Sequence, residues 1–96
     1  MNNTFELKFK NSYSSLSGNK FGLNTYREQV EPDIDFSKKI IIVFPDSIED
    51  IGMSFFQGFF GPIKERINLY GIEKRVDVKS NTILDLKEKV LKSLMV

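Results

Sequence analysis

The sequence predicts a small α/β sandwich of about three strands and three helices in one domain spanning residues 1–96. Three observations carry that prediction. Segments at both ends of the chain alternate apolar and polar residues with a period of two, as half-buried strands do. Between them Ile40-Ile41-Ile42-Val43-Phe44 is a continuous, mostly β-branched run of strand length. After it, Phe55, Phe56, Phe59, Phe60, Ile63, Ile67 and Tyr70 recur at helical spacing. Strands that alternate with helices argue for a sheet covered by helices, with right-handed crossovers between parallel neighbours.

In order along the chain, Thr4 to Lys10 places Phe5, Leu7 and Phe9 on one face and Glu6, Lys8 and Lys10 on the other, the pattern of an edge strand. Asn11 to Gly22 is rich in Ser, Asn and Gly and reads as a loop, with Gly18 and Gly22 free to take positive φ and Tyr13, Leu16 and Phe21 pinning it down. Asn24 or Thr25 caps a short helix that runs through Val30, and Glu31-Pro32 ends it, because the residue before proline avoids the α region. The run Ile40 to Phe44 reads as the middle strand, covered on both faces. Pro45 to Asp50 is an acidic loop. Pro62 lies inside the following helix and predicts either a kink near Gly61-Pro62 or two shorter helices meeting there. Val76 and Val78, alternating with Arg75, Asp77 and Lys79, form a second edge strand. Thr82 with Asp85 opens a last amphipathic helix that carries Ile83, Leu86, Val90 and Leu94.

Composition narrows the function. Hydrophobic residues make up 41 % of the 96, nine of them Phe, which describes a folded protein with a Phe-rich core. A chain this short buries a modest share of its surface, so association with another chain, a homodimer included, adds what the core lacks. Formal charge is +1 with basic and acidic residues interspersed, and the stripe expected of a nucleic-acid binder is missing. The chain has neither Cys nor His, which removes disulfides, thiolate metal sites and the Ser-His and Cys-His nucleophilic arrangements. No cofactor motif is present: the glycines match neither a Gly-Lys-Ser/Thr phosphate loop nor a Gly-x-Gly-x-x-Gly turn, and Gly58 and Gly61 read as close-packing positions. The start, Met1 to Glu6, lacks the basic-then-apolar pattern of a leader, and no apolar run reaches the ~18 residues of a membrane span, so a cytoplasmic protein is expected.

The segment Ile51 to Gly61 follows the apolar strand and opens the long helix, the place where open α/β sheets put binding sites. Gly52, Met53, Ser54, Phe55 and Gln57 are the candidate partner-binding residues, with Ser54 a candidate phosphorylation site, since a phosphate there gains from the helix dipole. The competing reading is purely structural: Ser54-x-x-Gln57 matches a capping box. Asp46, Glu49 and Asp50 share a loop but miss calcium-loop spacing and read as solvated surface. Acid/base chemistry by Asp46, Glu49 or Lys39 would need a cleft that perturbs them. The four Phe residues of the long helix are either all core or in part a surface patch of the kind that marks an interface.

From Gly18 to Arg66 the sequence resembles the STAS-like family of unknown function, distant relatives of anti-anti-sigma factor STAS domains. The resemblance rests on a Gly-containing loop leading into Asn24-Thr25-Tyr26-Arg27, on the strand Ile40 to Phe44, and on the Ile51-Gly52-x-x-Phe55 junction with Phe60 beyond it. It implies a non-enzymatic regulatory module that binds a protein partner, for which a histidine-kinase-like ATPase is the candidate. It also implies that Thr25 sits at a helix start and that Ser54 lies close to where sigma-regulating relatives carry a phosphorylated serine. Asn24, Phe44 and Gly58 stand where the family usually has Arg, Asp and Glu. These departures motivate a second expectation: a stand-alone inhibitor or adaptor, of the kind mobile elements encode, that binds its target through another surface.

Overall fold

In the computed structural model, residues 3–96 are described; Met1 and Asn2, the start of the segment read as leaderless, lie outside them. The chain forms an α/β domain of five short strands and three helices: β1 (Thr4–Glu6), β2 (Ser15–Leu16), α1 (Asn19–Gln29), β3 (Ile40–Val43), β4 (Asp50–Ile51), α2 (Met53–Arg75), β5 (Val76–Lys79) and α3 (Leu86–Leu94). The main sheet is parallel with order β1-β3-β5, so the β-branched run is its centre and the two alternating segments are its edges. Both crossovers step the same way across the sheet, and right-handed units of that kind lay α1 and α2 on one face.

The other face is open, which corrects the reading of Ile40 to Phe44 as covered on both sides. Along β3, Ile40 and Ile42 are fully buried whereas Ile41 and Val43 are only half-buried. Thr4, Ile41 and Asp77 form one cross-strand row on the open face, and Glu6, Val43 and Lys79 the next. Charged neighbours on both edges shield the two central β-branched residues, and Lys39 Nζ binds Asp77 Oδ2 at 2.9 Å there.

The core lies between the sheet and the helices. Phe55, Phe56, Phe59 and Phe60 are all at or below 1 % exposure, so the Phe surplus is core and not a surface patch. Phe44 meets Phe55, Phe56 and Phe59 with ring centroids 6.3 to 6.4 Å apart, two of the three edge to face, the arrangement that ring quadrupoles favour. Asn3, itself buried, donates to the carbonyls of Asp35 and Lys39 and accepts from the Asp35 N–H, which ties the loop before β3 to the start of β1. Arg75 donates to the Phe36 carbonyl from the far side of that loop, and Arg66 lies over the Phe36 ring at 4.5 Å.

Several boundaries differ from the sequence reading. α1 begins at Asn19 and not at Asn24 or Thr25, and its cap is Gly18 at φ 101°, a conformation that favours glycine. Thr25 therefore sits inside the helix, buried, with Oγ1 donating to the Phe21 carbonyl. The Asn11 to Gly22 loop contains β2 and the Pro45 to Asp50 loop runs into β4, and the two strands pair in parallel as a second, two-stranded sheet. α2 continues through Pro62 and breaks at Asn68, where φ is 58° and ψ 179°. Asn68 Oδ1 accepts the Gly71 N–H, so the asparagine ends one helical segment and caps the next. Asp85, in the left-handed region, precedes α3 without a side-chain cap, and Thr82 turns away to donate to the Ile48 carbonyl.

Candidate protein-docking site

Two strand-to-helix junctions lie side by side. β2 runs through Ser17 and Gly18 into α1, and β4 runs through Gly52 into α2. They are laced together in sequence order: Glu49 N–H to the Ser14 carbonyl at 2.7 Å, Gly52 N–H to the Leu16 carbonyl at 2.8 Å, then Gly18 N–H to Ser54 Oγ at 3.0 Å. The parallel ladder thus carries on past the strands into the first turns of both helices. It ends on a serine hydroxyl.

Glycine makes this closeness possible. A Cβ on Gly22 would overlap the carbonyl of Phe55, and one on Gly58 the carbonyl of Asn19. The two helices cross with backbone against backbone just below the junction, at positions where any side chain would hold them apart. Gly61, expected to serve the same purpose, faces open space.

The candidate residues divide by where the fold puts them. Met53 is 49 % exposed and Ser54 is exposed, so both are accessible at the surface. Gly52 and Gln57 are half-buried. Phe55 is fully buried among Phe9, Phe21, Phe44 and Phe59, so it supports the surface from beneath and touches nothing outside. The capping-box reading is overturned: Gly52 is the α2 cap, no side chain caps it, Ser54 turns to Gly18, and Gln57 Nε2 donates to the Ser93 carbonyl at 3.0 Å. Gln57 and Lys64, whose Nζ donates to the Leu94 carbonyl, instead close the C-terminus of α3, where a cation also opposes the negative end of the helix dipole.

Two helix N-termini meet at Ser54, and their free N–H groups add partial positive charge to one patch of surface. Hydroxyl, methionine and main-chain donors give a surface suited to polar and apolar contact together. The role of Gly18 and β2 in building it is not legible in the sequence, because their partners are 35 to 36 residues away in the chain.

Other candidates lie elsewhere. Lys39 is engaged with Asp77, and Asp46 accepts from Asn81 Nδ2. Among the described residues no three acidic side chains gather closely enough to hold a metal ion, so Asp46, Glu49 and Asp50 form no such cluster. Beside Tyr26, Glu31, Phe36, Pro62 and Arg66 line a shallow depression; burial pushes the Tyr26 phenol up, Glu31 adds to that and Arg66 opposes it. Among the described residues no helix is long and apolar enough to cross a membrane. No family model, curated protein or solved structure matches the chain.

Proposed function

We propose that this chain is a non-enzymatic regulatory module, similar to STAS-like domains and working in the cytoplasm, that docks a protein partner through the paired junctions around Gly52 to Gln57. The observation that supports it best is Ser54: its hydroxyl is exposed where the N-termini of α1 and α2 meet, and it already accepts the Gly18 N–H. Phosphorylation would add about two negative charges at that point. The two helix dipoles favour such a group, while a partner whose own docking face is acidic or apolar would be repelled. The same surface would then switch between partners, and a histidine-kinase-like ATPase is the partner class proposed.

The experiment is capture of partners by the tagged protein from its native extract, comparing wild type with Met53→Asp and Ser54→Asp. Both substitutions fall on exposed side chains and leave the core untouched. The expected result is recovery of an ATPase by wild type and at least tenfold less with either variant; equal recovery by all three rejects the reading.

A second reading, the stand-alone inhibitor or adaptor, draws support from a different surface. Tyr70 and Met95, each 69 % exposed, flank a groove completed by Leu69, Glu73 and Leu91. Tyr70 lies past the break at Asn68, with about 20 Å of continuous helix, Ser54 to Ile67, between it and the junction. A target docked there would be indifferent to both junction variants.

A further inference from the structure

The two edges of the main sheet are finished differently: a side chain closes the end of one, and none closes the other among the described residues. Leu7 N–H donates to the Val43 carbonyl, so the main-chain groups of Glu6 in β1 and of Lys8 just beyond it turn outward. Those of Lys8 are closed from both sides by one amide: Lys8 N–H donates to Gln29 Oε1 and Gln29 Nε2 donates to the Lys8 carbonyl, each at 2.8 Å. At the opposite edge, Phe44 N–H donates to the Lys79 carbonyl, which fixes Asp77 and Lys79 as the residues bonded to β3 and turns the N–H and C=O of Val78 outward. The neighbouring Val76 N–H is taken by the Ile72 carbonyl. Among the described residues no hydrogen bond closes the outer side of Val78. A free strand edge of this kind is a template for another strand.

We propose that this edge is a self-association site, at which a second copy of the chain pairs its own β5 antiparallel to the first, with Val78 opposite Val78. Three constraints select that register. Outward-facing residues must oppose outward-facing ones, which leaves only registers shifted by whole pairs. A shift one way sets Asp77 against Asp77, and a shift the other way sets Lys79 against Lys79, both repulsive. In the register centred on Val78, Asp77 of each copy faces Lys79 of the other on the open face of the sheet, giving two ion pairs related by a two-fold axis. Lys39 occupies only Oδ2 of Asp77, so Oδ1 is available to the second lysine.

The helical side fits as well. A groove runs along the outside of β5, walled by Val78, Leu84, Leu86 and Leu91 and edged by Lys87 and Glu88. Leu84, 82 % exposed, stands at its rim. Pairing the strands brings the half-buried Val78 side chains together and places each groove against the other copy, and the joined sheet has six strands. Four residues a side make a small interface compared with the roughly 800 Å² per partner of a stable dimer, so the association is expected to depend on concentration.

The test is sedimentation velocity of the purified chain from about 10 μM to about 1 mM, the range in which weak dimers form. Wild type is expected to move from monomer to dimer. Lys79→Asp, which sets acid against acid twice, is expected to weaken the dimer at least tenfold, and Asp77→Lys combined with Lys79→Asp, together with Lys39→Glu to keep the pair at position 77 within each copy, to restore it. Val78→Pro removes the outward N–H without touching the β3 ladder and is expected to stay monomeric. A wild type that remains monomeric at the highest concentration, a dimer indifferent to Lys79→Asp, or a charge-swapped triple variant that fails to recover overturns the proposal.

Discussion

Asp77 shows how much a single surface carboxylate says about the folded state. The hydrogen bond from Lys39 holds its pKa below the ordinary 3.8; partial burial opposes this, and the charges of Lys39, Lys87 and Lys79 add to the lowering. A depressed folded pKa means that the folded state favours the ionised form, so its stabilisation is complete above the unfolded value and fades as pH falls below about 4 through the folded one. The Asp77 side chain is 40 % exposed, and solvent screening keeps the effect within ~1 kcal/mol. Lys39→Met should therefore flatten part of the stability loss on acidification in urea-unfolding curves taken between about pH 5 and pH 2. Asp35 is held low in the same direction, first by the Ser37 hydroxyl and then by its N–H, so some acid loss should persist in the variant. An unchanged acid limb would mean that the Lys39 pair does not form in solution.

At the scale of elements, the α1–α2 crossing rests on two glycines that serve different partners. Gly22→Ala and Gly58→Ala should each cost about 1–3 kcal/mol, since a methyl group must displace main chain and not a flexible side chain. Gly61→Ala, on the same helix as Gly58 but facing open space, should instead stabilise by about 0.5–1 kcal/mol. Chemical denaturation of the three variants checks this, and equal effects at all three would remove the close crossing from the account.

Those glycines also mark where the sequence stops being legible. The order of strands and helices, the central place of Ile40 to Val43 and the burial of the Phe residues follow from local period and β-branching. The start of α1 does not. Gly18-Asn19-Lys20-Phe21-Gly22 has the composition of a turn, yet only Gly18 takes positive φ, and Gly22 is there for a carbonyl 33 residues away. β2 and β4 have two residues each, too few for any period, and exist because each is the other's partner. Ser54-x-x-Gln57 has capping-box spacing but sits two residues too far into the helix, with Gly52 already the cap. The Phe-Phe spacing of α2 marked its buried face, while the break at Asn68 is set by the asparagine's bond to Gly71, where the sequence pointed to Pro62.

The whole molecule is a three-stranded parallel sheet with helices on one side, a second small sheet lacing two helix starts together, and a β5 edge whose Val78 groups are unbonded among the described residues. Apolar burial fixes the first feature and hydrogen bonds between residues distant in the chain fix the second. The proposed docking surface is the pair of laced helix starts, well away from the groove of Leu69, Tyr70, Leu91 and Met95 at the other end of α2. Amide hydrogen exchange separates these surfaces directly, because the free N–H groups of helix first turns exchange quickly unless something covers them. The decisive measurement is exchange of the full chain with and without its captured partner: slowed exchange at residues 15–20 and 52–57 is the predicted result, and slowing confined to residues 69–73 and 91–95, with the junction unchanged, would contradict it.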